Sequence, residues 1–258
     1  MDVPTHIDAL RVDGARLAAA AAHAGPDAPV PTCPKWAVRD LVYHQGGVHR
    51  WATAYVSGGL TDPGAVDFSE ARGPLPDDAD LVDWFLTGHA ALVAALTGAT
   101  TDLRCWSFLQ APSPLAFWAR RQAHETSIHR IDAELAAGAI LSPIASGFAA
   151  DGIDELLVGF GSARRRQRED DDQEATVIAL CCTDEDSGWT ARLGAEGAAA
   201  TATGTTGSDS GHGETPDCTV RGAAADLYLT LWRRSSPDTL TVEGDGRAFE
   251  LLLERARI

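Results

Sequence analysis

A chain of 258 residues exceeds the usual length of one compact domain, so two domains are expected, and 45% hydrophobic with 22% charged residues is ordinary folded-protein composition. A formal net charge of −16 and a pI near 4.7 argue against nucleic acid and against docking on anionic membranes, because both need a basic protein surface. Small molecules are the expected partners. The five cysteines are odd in number, with Cys181 and Cys182 adjacent, so no disulfide framework is expected and the compartment reads as reducing cytoplasm. The first residues lack a basic stretch followed by an apolar one, so no signal peptide is expected, and no segment is expected to span a bilayer.

In chain order, the pattern is helical to about residue 165. An alanine-rich amphipathic helix is predicted from Ile7 to Ala22. The loop Val30-Pro31-Thr32-Cys33-Pro34 leads into a second helix, Trp36 to Val56, whose prolines stay ahead of its interior as helix geometry demands. Gly58 to Asp78 is a Gly/Pro/Asp-rich connection. A third helix follows from Asp80 to Leu96, with Asp77, Asp78 and Asp80 suited to the positive end of its dipole. The longest helix runs from Leu115 to Ala137 and is stopped by Gly138; a further helical stretch covers Ile144 to Arg164. These helices read as a bundle, residues 1–165.

A basic-then-acidic block from Arg164 to Asp172 reads as a solvated helix end and linker. Beyond it the period becomes extended. Strands are predicted at Ala175–Cys181, Trp189–Leu193, Asp217–Arg221 and Thr239–Glu243, and helices at Ala223–Arg234 and Ala248–Arg255. The Gly/Thr/Ser/Ala-rich segment Gly197–Asp217 is expected to be a loop. Residues 174–258 thus form a small α+β domain.

The second helix places Leu41, His44, Val48, Trp51 and Tyr55 on one stripe, at about 100° per residue, which turns His44 inward. His49, roughly 140° away, is expected nearer solvent. On the long helix, His124 and His129 are five apart and diverge, whereas Glu125 and His129 are four apart and sit one above the other. A carboxylate plus an imidazole suits Zn²⁺, and His44 from a facing helix would complete a His₂Glu set with open coordination positions, the mark of a catalytic site. The plain alternatives stand beside it: His44 as a hydrogen-bonded core residue, Glu125 paired with Arg121 or Arg130 on the surface, and His129 half exposed. His124 suits a core role, and Asp132 is placed to orient the His129 imidazole. Cys33, beside a proline, and Cys181 and Cys182, in an apolar strand, read as structural; His212, between glycines, reads as incidental.

The run Cys33-Pro34-Lys35-Trp36-Ala37-Val38-Arg39-Asp40-Leu41-Val42-Tyr43-His44-Gln45-Gly46-Gly47, followed by Ala123-His124-Glu125-Thr126-Ser127-Ile128-His129-Arg130, resembles the mycothiol-dependent maleylpyruvate isomerase family of DinB-like metal-binding bundles. Cys218-Thr219-Val220-Arg221-Gly222 and Asp226 to Arg234 are similar to the small α+β domain that follows the bundle in that family. The resemblance implies a DinB-like four-helix bundle plus an α+β domain, a divalent metal, zinc above all, on His44, Glu125 and His129, and mycothiol as the low-molecular-weight thiol co-substrate. It also implies an isomerase, or a related thiol S-transferase, acting on a small electrophile, with the family's C-terminal arginine matching Arg221. That arginine reads equally as the cap of a strand–helix junction. A non-catalytic metal- or thiol-binding module on the same scaffold is the other functional reading.

Overall fold

The computed structural model describes residues 1–161, 175–194, 198–203 and 215–256, which form two compact units, Met1–Ser142 and Pro143–Ile258. The Arg164–Asp172 charge block and His212 lie outside the described residues.

The first unit is built from α1 (Val3–Ala24), α2 (Val38–Gly58), the short α3 (Phe68–Arg72), α4 (Leu81–Gly98) and α5 (Pro114–Ala136). Local chemistry sets the helix ends. Asp2 Oδ1 accepts the Thr5 N–H at 3.0 Å, the Asp40 carboxylate accepts the Ala37 N–H at 2.9 Å, and Ser113 Oγ accepts the Ala116 N–H at 3.1 Å. Gly138, at φ 62°, supplies the left-handed residue just past α5. α5 is the central helix, packed chiefly on α1 and also on α2, while α4 packs on α1 and α2. The core between them holds Leu10, Leu17, Leu41, Phe85, Leu92, Trp118 and Ile131, none with measurable exposure, each contributing about 1.5–3 kcal/mol by burial.

Three expectations change here. A short helix, α3, stands in the Gly58–Asp78 connection, capped by Asp67, whose carboxylate accepts the Glu70 N–H at 2.9 Å. α4 is, by length and composition alone, apolar enough to cross a membrane, with mean hydropathy 1.3 over 18 residues, contrary to the expectation that no segment reached that length. Its alanines raise the average, while Leu81, Phe85, Gly88, His89, Leu92 and Leu96 form the face buried in the bundle. His49 is fully buried instead of near solvent, because α2 is covered by α4 and α5 on adjoining sides.

In the second unit α6 (Ser146–Asp154) runs on into a π-helical stretch, Glu155–Phe160. The helical segment after Ile144 therefore packs with this unit, where α6 lies against α7 (Ala224–Leu231), instead of closing the bundle. The five-stranded sheet has the order β3-β2-β1-β4-β5, from β1 (Thr176–Cys182), β2 (Gly188–Leu193), β3 (Ala198–Thr203), β4 (Cys218–Gly222) and β5 (Thr241–Gly244). Only β1 and β4 are parallel; the other neighbours are antiparallel. β3 falls inside the segment expected to be a loop: its Ala/Thr alternation pairs with β2 in a register from Ala198 opposite Leu193 to Thr203 opposite Gly188. The closing helix, α8 (Gly246–Arg255), packs on β1 and β4, and its approach turns at Gly244, φ 87°, where a side chain would collide with the Asp217 carbonyl. Burial, with Asp184 and Glu185 nearby, pushes the Cys182 thiol up to about 12, so it is a packed, unreactive sulfur.

Candidate functional site

α2 and α5 bring His44, Glu125 and His129 together. His44 Nε2 lies 3.6 Å and His129 Nε2 lies 3.4 Å from Glu125 Oε1, and one donor atom from each residue lies within 4.8 Å of the others. Two ligands about 2.1 Å from one ion at the tetrahedral angle sit about 3.4 Å apart, so these separations fit a shared ion. Glu125 and His129 meet because they are one helical turn apart; His44 arrives from the facing helix with its ring 5.3 Å from that of His129.

The surroundings keep Glu125 in its ligand state and orient the His129 ring, while holding a proton on His129 that an incoming ion must displace. Burial alone would raise the Glu125 pKa, but the Arg121 guanidinium, donating to Oε2 at 2.5 Å, with the His129 and His44 imidazoles close by, holds the carboxyl well below its ordinary range. Glu125 and Arg121 do pair, as one alternative had it, but inside the bundle, with Arg121 only 3% exposed. Arg130 is committed elsewhere, to Glu134 at 2.8 Å. Burial would lower the His129 pKa; hydrogen bonds to Asp132 and Glu125 outweigh it and raise the value to about 9. Asp132 sits behind the imidazole as the sequence suggested, with Oδ2 2.9 Å from Nδ1 and its other oxygen accepting from Thr32 Oγ1 at 2.5 Å. Nδ1 thus carries a proton toward Asp132, leaving Nε2 facing Glu125 and His44. The donor chemistry, the ionised carboxylate and the oriented imidazole all fit a divalent cation.

Half-buried Trp36 lies against both imidazoles, its ring 5.0 Å from His44 and 5.9 Å from His129, and Phe68 of α3 lies 6.4 Å from His44. Beneath the site, Gln45 Nε2, His49 Nε2 and Thr126 Oγ1 meet at 2.9–3.0 Å, tying α2 to α5. Burial, helped by neighbouring His89, keeps His49 well below its ordinary pKa. Neither Phe68 nor this trio was found from sequence, although Asp67-x-x-Glu70 is a readable helix start for α3. His124 is buried, its ring 6.0 Å from that of His6 in the core. Cys33 Sγ is 4.0 Å from Asp132 Oδ2. Arg221 is exposed on β4, opposite Cys181 of β1 and Thr241 of β5.

Comparison with known families covers nearly the whole chain: the pattern of the mycothiol maleylpyruvate isomerase N-terminal domain matches residues 7–134, and that of the MDMPI C-terminal domain matches residues 147–251. The chain belongs to the mycothiol maleylpyruvate isomerase family. Crystal structures of a mycothiol-dependent maleylpyruvate isomerase and of its histidine-to-alanine variant share the fold, with TM-scores of 0.60 and 0.61 and 13% identity. Each match covers 94% of this chain and 93% of the other. No curated protein sequence matches it. Membership accounts for both the helical unit and the mixed sheet that follows it.

Proposed function

We propose that this family member is a divalent-metal- and mycothiol-dependent enzyme, an isomerase of the maleylpyruvate type or a related thiol S-transferase for a small electrophile. The observation that carries this reading is the convergence of His44, Glu125 and His129 on one point, with donor separations of 3.4 and 3.6 Å. Zinc is an ion that suits two imidazoles and one carboxylate with open coordination positions. Bound there, it would supply Lewis acidity that lowers the pKa of a thiol and polarises a carbonyl.

The chain's own residues do the rest. Arg121 keeps Glu125 ionised, and Asp132, itself held by Thr32, fixes the His129 ring. Trp36 and Phe68 shield the imidazoles with apolar surface. The thiolate of mycothiol adds to a carbon–carbon double bond conjugated to a carbonyl, and the electron pair moves onto the carbonyl oxygen. The former double bond then rotates, the pair returns, and the same thiolate leaves, so thiol is regenerated and the product is the geometric isomer. Where protonation of the adduct outpaces expulsion of the thiolate, the outcome is S-transfer. On the strength of the resemblance, Arg221 is proposed to hold a substrate carboxylate in bidentate fashion.

The test is turnover of a maleyl-type ketoacid by zinc-loaded protein with mycothiol, each omitted in turn. The reading expects isomer, or thioether in the transferase case, only when both are present. Tight thiol binding without either product would instead identify a non-catalytic binding module.

A further inference from the structure

Arg72 ends α3 near the candidate metal site and differs from the buried and half-buried Arg39, Arg50, Arg121 and Arg130, whose guanidiniums are tied to carboxylates or carbonyls. Arg121 and Arg130 are paired with carboxylates, Arg39 with two aspartates, and Arg50 donates to the carbonyls of Gly46 and Trp84. Arg72 has no carboxylate within ion-pair distance among the described residues, and its Nε is buried with no hydrogen-bond partner. In a chain of net charge −16, an unneutralised and partly desolvated guanidinium is costly and calls for an explanation.

Its placement is built, not incidental. The aliphatic stem lies flat on α2 where Gly47 leaves room; a Cβ there would stand 2.7 Å from Arg72 Cγ and Cδ. The guanidinium stacks 4.2 Å above the Tyr43 ring and 5.4 Å from the centre of Phe68. Tyr43 in turn donates its hydroxyl to the Gly73 carbonyl at 2.6 Å, fixing the chain just after Arg72. Phe68 neighbours both this guanidinium and the His44 imidazole, so one aromatic ring separates the cation from the metal ligand. Stacking immobilises the guanidinium plane and leaves its N–H groups as the only polar surface it offers.

We propose that Arg72 binds an acidic group of the substrate, a carboxylate, and thereby selects anionic electrophiles for the site at His44, Glu125 and His129. This rests on the functional reading above and adds a carboxylate holder within the bundle itself. The fork of the guanidinium suits a carboxylate in two-point contact.

The test is calorimetric titration of the zinc-loaded full chain with succinate, a dicarboxylate that does not react with thiols, and with succinamide, its uncharged counterpart. Wild type is expected to bind succinate, Arg72→Gln at least tenfold more weakly, and Arg72→Lys in between. Zinc content should stay the same in all three, and any succinamide binding should be indifferent to the substitutions. Equal succinate affinity in wild type and Arg72→Gln, no succinate binding by wild type, or parallel losses for succinate and succinamide would overturn the proposal. If Arg72→Gln loses zinc, Arg72→Lys decides: weakened succinate with full zinc supports the proposal, and unchanged succinate overturns it. Because the readout is binding, the two readings fail separately: succinate held through Arg72 without turnover rejects the isomerase only. Turnover with an unaltered KM for an acidic substrate in Arg72→Gln rejects this assignment only.

Discussion

Replacing Asp132 by asparagine separates two effects that the structure couples at His129. The side chain keeps its shape and its contact with Thr32 but loses the charge that faces Nδ1 at 2.9 Å. Partners of this kind are worth about 10–100-fold in metal affinity, because they orient the ring and raise its basicity. The same carboxylate, together with Glu125, also raises the His129 pKa, to about 9. At pH 7 an incoming ion must therefore displace a proton held about two decades too tightly, a penalty of roughly 3 kcal/mol. Wild-type affinity should then climb about tenfold per pH unit from neutrality and level off near pH 9. In Asp132→Asn the proton is held less tightly, so levelling begins at lower pH. The variant should be about 10–100-fold weaker on the alkaline plateau and closer to wild type at neutrality. Chelator competition for zinc, run across that pH range, reads both limbs. Parallel curves with a constant gap would refute the reasoning, since they would show that the His129 proton is not what the metal displaces.

Two further outcomes follow from the same geometry, and a third from the family resemblance. Arg121→Met strips Glu125 of its interior partner and should cost about 2–3 kcal/mol in urea unfolding of metal-free protein, less than for a wholly buried pair because the Glu125 side chain is 24% exposed. Zinc, by neutralising the carboxylate, should shrink that loss, and an identical loss with and without zinc would count against the site. His49, whose pKa is depressed by burial, refuses a proton that the unfolded chain accepts below about pH 6.5, so its contribution is present above that value and lost as pH falls, at roughly 1 kcal/mol per pH unit. Comparison of wild type with His49→Leu by urea unfolding at about pH 7.5 and 5.5 should show a shallower acid loss in the variant, and equal slopes would exclude His49 as the source. Arg221→Gln should lower kcat/KM at least tenfold with zinc content unchanged; full activity would remove Arg221 from the machinery.

The long helices were legible because their ends carry explicit local chemistry, as at Ser113-Pro114 and Gly138. So was the pair Glu125 and His129, since a four-residue spacing forces proximity whatever the surroundings, while His44 joined them through the inward stripe of α2 and the family resemblance. Asp132 was legible for the same reason, one turn further along α5. His49 was not, because a helical wheel assumes one buried face and α2 has neighbours on adjoining sides. Arg121 looked like a surface residue because its partner's role depends on α5 being central, which no local pattern reveals. β3, an alanine/threonine strand at the sheet edge, carries too little hydrophobic contrast to stand out from a low-complexity loop. The segment after Ile144 reads as one more bundle helix by periodicity, and only packing against α7 assigns it to the second unit. Arg72 and Phe68 were passed over because α3 is a single short helix in a Gly/Pro/Asp-rich stretch.

The central claim is that His44, Glu125 and His129 hold one divalent ion. Metal content of purified, reconstituted wild type, set beside a Glu125→Ala, His129→Ala double variant that remains folded by circular dichroism, tests it most directly. The account predicts about one zinc per chain in wild type and none above background in the variant. Wild type without metal after reconstitution, or a variant that retains the full amount, would contradict it.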